Sequence, residues 1–198
     1  MDPQRLAVTP ENFLEKYLKR LKDTANEKTY IAYQNNKEWT KVAIEIAEKV
    51  VKQDLGLQPH REFYKVDLIG YRSEEHTENE SEYNWELNVA YEHENDDTWD
   101  GELCKLCHLA ADLRVIQAYW DFRPGKVNKK GTIEDLLKQR IEYLGSRKIH
   151  RVSNTDWLFI FGPRLVAEEY PFVGFTVDAD LRVSKVECDI EVIPQEWK

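Results

Sequence analysis

Apolar side chains at Phe13, Leu14, Tyr17, Leu18 and Leu21 recur at helical spacing. Thr9-Pro10-Glu11 just ahead of them supplies a cap, a first-turn proline and an acid. This predicts a helix over 9–25. Trp39, Val42, Ala43, Ile46, Ala47, Val50 and Val51 repeat the pattern and predict a second helix from about Lys37 to Leu55, stopped at Gly56. Two apolar runs, Glu62–Arg72 and Tyr83–Glu94, read as strands. The polar, acidic link Ser73–Ser81 between them reads as a surface loop. Thr98 is placed to cap a third helix that ends near Asp112, with Trp99, Leu103, Leu106 and Ala110 as its buried stripe. Arg114–Trp120 is the next strand. A basic loop, Arg123–Gly131, leads to a fourth helix from Thr132 to Gly145, and strands are predicted over Trp157–Phe161, Phe172–Val177 and Leu181–Ile190. Helix, strand, strand, helix, strand, helix and then strands imply an α/β fold, a mixed sheet flanked by helices.

The 198 residues suit one domain with a sizeable core. No apolar run approaches the roughly 20 residues of a membrane helix, and Met1-Asp2-Pro3-Gln4-Arg5 lacks an apolar signal core. A cytoplasmic protein with its three cysteines reduced is the expectation. A net charge of −9 argues against bulk coating of nucleic acid, though not against a local basic groove.

The candidate chemistry lies at the end of the second strand. In Tyr91-Glu92-His93-Glu94-Asn95, residues two apart share a face, so Glu92 and Glu94 are expected to project together and His93 to point the other way. Adjacent carboxylates repel unless a cation or a proton sits between them. Asp67, on the preceding strand, is the third acid. Three oxygen ligands converging from adjacent strands suit a hard divalent cation such as Mg²⁺.

These acids and the order of elements resemble the PD-(D/E)XK nuclease superfamily, the restriction-endonuclease-like fold. Asp67 matches the family's Asp and Glu92 its Glu, while Glu94 falls where the family has Lys. Val66 stands where the family name has Pro, and the spacing from Asp67 to Glu92 is long. The resemblance runs from Lys37 to Trp120. It implies a nuclease-like core over about 37–122 within a single domain of 1–198, with a helix and extra C-terminal strands over 132–192.

It also implies Mg²⁺ or Mn²⁺ as cofactor and hydrolysis of nucleic acid phosphodiesters. Asp67 and Glu92 would bind the metal, and Glu94 would hold a second metal or orient the attacking water. Lys105, on the following helix, would replace the missing lysine and neutralise charge on the phosphate. Glu45 or Glu48, on the first core helix, is the candidate for a further ligand, and a homodimer is compatible with the fold. The alternative is a non-catalytic protein- or metal-binding module on a degenerate nuclease fold, which Glu94 and the net charge favour.

Other motifs weigh less. Cys104-Lys105-Leu106-Cys107-His108 matches haem-attachment and Cys-x-x-Cys spacings, but it falls inside a helical pattern, with Cys104 well past the helix start. Lys126, Lys129 and Lys130 are candidates for phosphate-backbone contact. Trp197, at the C-terminal end, is a candidate for partner contact.

Overall fold

A computed structural model describes residues 8–73, 85–95, 99–121, 132–146, 156–164, 169–178 and 180–197. The acidic link over 74–84, the Thr98 cap and the basic-loop residues Lys126, Lys129 and Lys130 lie outside them.

The first predicted helix forms as α1, Pro10–Thr24. The Thr9 side chain accepts from the Asn12 N–H, and Phe13, Leu14, Tyr17, Leu18 and Leu21 are buried, as their spacing requires. A short helix not foreseen in the sequence, α2 (Glu27–Tyr33), is capped by Asn26. The second predicted helix is α3, Asn36–Lys49, with Asn35 accepting from the Lys37 and Glu38 N–H groups. It widens into a π-helical turn over Val50–Asp54 and stops at Gly56, whose φ of 65° is open to glycine at little cost.

The sheet strands are β1 (Gln58–Phe63), β2 (Val66–Ser73), β3 (Trp85–His93), β4 (Leu113–Trp120), β5 (Asp156–Pro163), β6 (Val173–Val177) and β7 (Val183–Val186). They lie in sequence order across one mixed sheet. β1, β2 and β3 form an antiparallel meander, and β3, β4 and β5 run parallel. β6 and β7 close the far side as antiparallel strands. The parallel pairs are bridged by helices, as parallel connections require: α4 (Asp100–Leu106) between β3 and β4, and α5 (Ile133–Ser146) between β4 and β5.

Period-two alternation divides the core between the two faces. Leu68, Val89, Tyr91, Val115 and Ile160 pack with α1 and α3. Ile69, Ala90, Ile116, Ala118 and Phe159 pack with α4 and α5. The chain is therefore an α/β fold with helices on both faces of a mixed sheet.

Several boundaries differ from expectation. The single strand predicted over Glu62–Arg72 straddles a hairpin: it takes in the end of β1, the turn at Tyr64 and Lys65 between paired Phe63 and Val66, and most of β2. The third helix ends at Leu106 rather than near Asp112. Beyond it, Arg114 Nε donates to the Leu109 carbonyl at 3.0 Å, holding the descent into β4. Of the strand expected over Leu181–Ile190, only Val183–Val186 pairs. Trp197 is not presented to a partner. It is 5% exposed, in a 3₁₀ turn over Pro194–Trp197, and packs edge-on against Tyr33 with ring centroids 5.6 Å apart.

Candidate active site

The β2–β3 register pairs Leu68 with Tyr91, so the next step beyond sets Asp67 beside Glu92 at one end of the sheet. Both side chains fall on the α4 face, in step with Ile69 and Ala90. Their carboxyls are within hydrogen-bonding reach of each other. Asp67 Oδ2 also accepts the His93 backbone N–H at 2.8 Å.

α4 then delivers a cation to the pair. Lys105 Nζ lies 2.7 Å from Glu92 Oε1 and 2.8 Å from the Lys65 carbonyl, and it also pairs with Glu102 one turn back on the same helix. Those three acceptors match the three donors of an ammonium. The Lys65 carbonyl is aimed by the β1–β2 turn, where Tyr64 (φ 48°) and Lys65 (φ 65°) both adopt left-handed backbone. Such a pair is what a two-residue type I′ hairpin demands, usually met by Asn-Gly.

Glu92 is 2% exposed. Burial, with the negative charges of Asp67 and Glu102 adding to it, pushes its carboxyl up to about 8 against the pull of Lys105. Burial likewise raises Asp67, opposed by the His93 N–H, the Glu92 contact and the Lys105 charge. Burial lowers the Lys105 ammonium, but hydrogen bonds to Glu102 and Glu92 outweigh it and the net shift is upward. Two crowded carboxyls that resist joint ionisation, next to a fixed cation, make this cluster a candidate site.

The sequence-selected residues divide accordingly. Asp67, Glu92 and Lys105 come together. β3 stops at His93, so strand alternation no longer governs Glu94. Its N–H bonds the Gln117 carbonyl at 2.9 Å, and its side chain is half-buried. Glu45 is exposed on α3, and Glu48 is held by Arg61, whose Nε lies 3.0 Å from Glu48 Oε2. Among the described residues, no three His, Cys, Asp or Glu side chains gather as metal ligands do. The Asp67–Glu92 pair nonetheless fits Mg²⁺, which commonly takes one or two carboxylates and fills its remaining positions with water and substrate phosphate.

Asp67 also borders a cleft of about 390 Å³ between α3 and the β1–β2 hairpin, which neither Glu92 nor Lys105 lines. Lys37, Lys41 and Arg61 line it together with the acids Glu62 and Asp67, and Lys41 and Arg61 are paired with Glu38 and Glu48. Asn95 Nδ2 donates to Thr40 Oγ1 at 2.6 Å and ties the exit of β3 to α3. Sequence reading missed these cations and Glu102. The i, i+3 spacing of Glu102 and Lys105 was the available signal for Glu102.

On the opposite face, His93 points into the core as expected. Trp39 Nε1 and Gln117 Nε2 both donate to the Tyr119 hydroxyl, the latter at 2.7 Å. With its acceptor sites taken, Tyr119 donates to His93 Nε2, also at 2.7 Å, which makes His93 the neutral tautomer with its proton on Nδ1. Burial drives the His93 pKa down to about 3.

The cysteines carry free thiols. Cys107 is buried, which pushes its thiol up to about 11, away from thiolate chemistry. No protein-family model matches this chain, and no curated protein matches its sequence.

Proposed function

We propose that this protein is a divalent-metal-dependent, nuclease-like phosphodiester hydrolase of the PD-(D/E)XK type. The observation that carries this reading is the meeting of Asp67, Glu92 and Lys105 at one end of the sheet. The order α3, β2, β3, α4, β4 keeps the helix, strand pair, helix and further strand on which the resemblance rests, with β1 added ahead of β2.

Asp67 and Glu92 would hold Mg²⁺ or Mn²⁺. Bound there, the metal would polarise the scissile phosphate and lower the pKa of a bound water. Lys105, held by Glu102 and the Lys65 carbonyl, would neutralise charge developing on the phosphate. Glu94, at the end of β3, would orient the water or hold a second metal.

A non-catalytic binding module on the same fold is the second reading. It draws on Glu94 at the family's lysine position and on the two-carboxylate ligand set. Cleavage assays on labelled single-stranded, duplex and branched nucleic acids separate the two readings. Hydrolysis that needs Mg²⁺ or Mn²⁺, stops with EDTA and is lost in Asp67→Asn is the expected result. Intact substrates under all these conditions would leave the binding module standing.

A further inference from the structure

A set of buried polar side chains is hydrogen-bonded together on the α3 face of the sheet, behind the cluster of Asp67, Glu92 and Lys105. Tyr91 donates to Gln117 Oε1, Gln117 Nε2 donates to the Tyr119 hydroxyl and Tyr119 donates to His93 Nε2, each at 2.7 Å. Trp39 Nε1, from α3, also donates to the Tyr119 hydroxyl. His93 is a poor source of stability there. Its Nδ1 has no partner among the described residues, and a buried polar atom without one costs free energy that a leucine would not.

These bonds converge on the end of β3. Tyr91 and His93, on either side of Glu92, are tied by their side chains, and the Glu94 N–H is tied to the Gln117 carbonyl at 2.9 Å. Alternation sends the Glu92 side chain to the other face, so its anchors lie behind it. Asp67 is held through the same strand end, because its Oδ2 accepts the His93 N–H at 2.8 Å. We propose that His93, Gln117 and Tyr119 are positioning residues: bonded together on one face, they fix the strand end from which Glu92 and the His93 N–H reach out, and so set the separation of the Asp67 and Glu92 carboxyls. The proposal rests on the metal reading for what the carboxyls hold, but not for how they are held. Mg²⁺ tolerates little departure from octahedral geometry, so carboxyls that must share it need such a fixed spacing.

The test pairs nuclear magnetic resonance of the metal-free protein with Mn²⁺ calorimetry, both on the whole chain. Tyr119→Phe, His93→Leu, His93→Gln and Leu21→Ala are compared with the wild type, each with and without Asp67→Ala. The shift of the residue-93 amide proton on removing the Asp67 carboxyl measures the bond between them. A large shift is expected in the wild type and in His93→Gln, whose amide oxygen can still accept from Tyr119. Tyr119→Phe and His93→Leu should lose most of that shift and weaken Mn²⁺ binding about 10- to 100-fold, the usual loss when a group that orients a metal ligand is removed. Leu21→Ala truncates a buried side chain of α1 outside the network and should keep both.

An undiminished shift in both network variants, or Mn²⁺ binding weakened no more by them than by Leu21→Ala, would overturn the proposal. His93→Leu leaves fewer buried groups unpaired than Tyr119→Phe and decides the matter if the latter does not fold. Mn²⁺ binding that Asp67→Ala abolishes and the network variants leave intact defeats the proposal and spares the metal reading. A wild type that binds no Mn²⁺ defeats the metal reading, and the amide shift then decides the proposal alone.

Discussion

Lys105 Nζ sits 2.7 Å from Glu92 Oε1, so the crossover helix returns a cation to the strand end that it has just left. The pair joins a half-buried ammonium to a carboxylate that is 2% exposed. Removing the lysine strips Glu92 of its main counter-charge and leaves the carboxyl to Asp67 and whatever cation is offered. Lys105→Ala is therefore expected to cut hydrolysis about 10²- to 10³-fold, the loss typical of one preorganised charge-stabilising donor. Mn²⁺ affinity should be equal or higher, because a competing cation is gone. Single-turnover rates and calorimetry on the same variant check this, and loss of metal binding together with activity would instead make Lys105 a structural strut.

Glu92 should make the metal-free protein less stable as pH rises. Its carboxyl loses its proton near the ordinary 4.5 in the unfolded chain but near 8 in the fold. The folded state then binds more protons across that window, so the stabilising contribution is complete below about 4.5 and is lost as pH rises through about 8. In EDTA, Glu92→Gln should gain on the wild type through this range and melt about 2–4 °C higher at its alkaline end, for each kcal/mol relieved. A difference in Tm that does not change with pH would contradict the assignment.

His93 acts in the opposite direction. Its folded pKa, about 3, lies below the ordinary 6.5, so its contribution is present above 6.5 and lost as pH falls toward 3. Acid-unfolding curves of His93→Gln should be shallower than wild type over that interval. Tyr119→Phe should cost about 2 kcal/mol or more at neutral pH, because it leaves the Trp39 and Gln117 N–H groups buried without their acceptor. Urea midpoints measure this, and a neutral Tyr119→Phe would mean that the buried network is not as described.

The hairpin turn offers a stability test away from the acids. Lys65 has a φ of 65°, and its carbonyl, not its side chain, meets Lys105. Lys65→Gly keeps that carbonyl and relieves the left-handed strain, for a gain of about 1 kcal/mol less the entropic cost of glycine. A Tm above wild type with Lys105-dependent activity intact is expected, whereas a clear drop would show that the lysine side chain supports the turn.

Much of this fold is legible in the sequence because it comes from periodicity. The stripes of α1 and α3, the two faces of the sheet and the pairing of Asp67 with Glu92 all rest on residue spacing, and Lys105 is within reach because α4 must pack back over the sheet. The turn at Tyr64-Lys65 is not legible. An aromatic and a lysine amid apolar residues carry no turn signal, and tertiary contacts hold them against local preference. Glu94 lies one residue past β3, which ends at His93, so strand alternation alone does not place its side chain. Trp197 is hidden by distance along the chain, since its pocket is built by Tyr33 and Trp39.

The metal assignment is tested most directly by calorimetric titration of Mn²⁺ into the metal-free protein, with Asp67→Ala and Glu92→Ala as controls. Stoichiometric binding that either substitution abolishes is expected, with proton release that grows below about pH 8, where the metal displaces the Glu92 proton into the solvent. Absence of binding in the wild type, or binding indifferent to both substitutions, would contradict it.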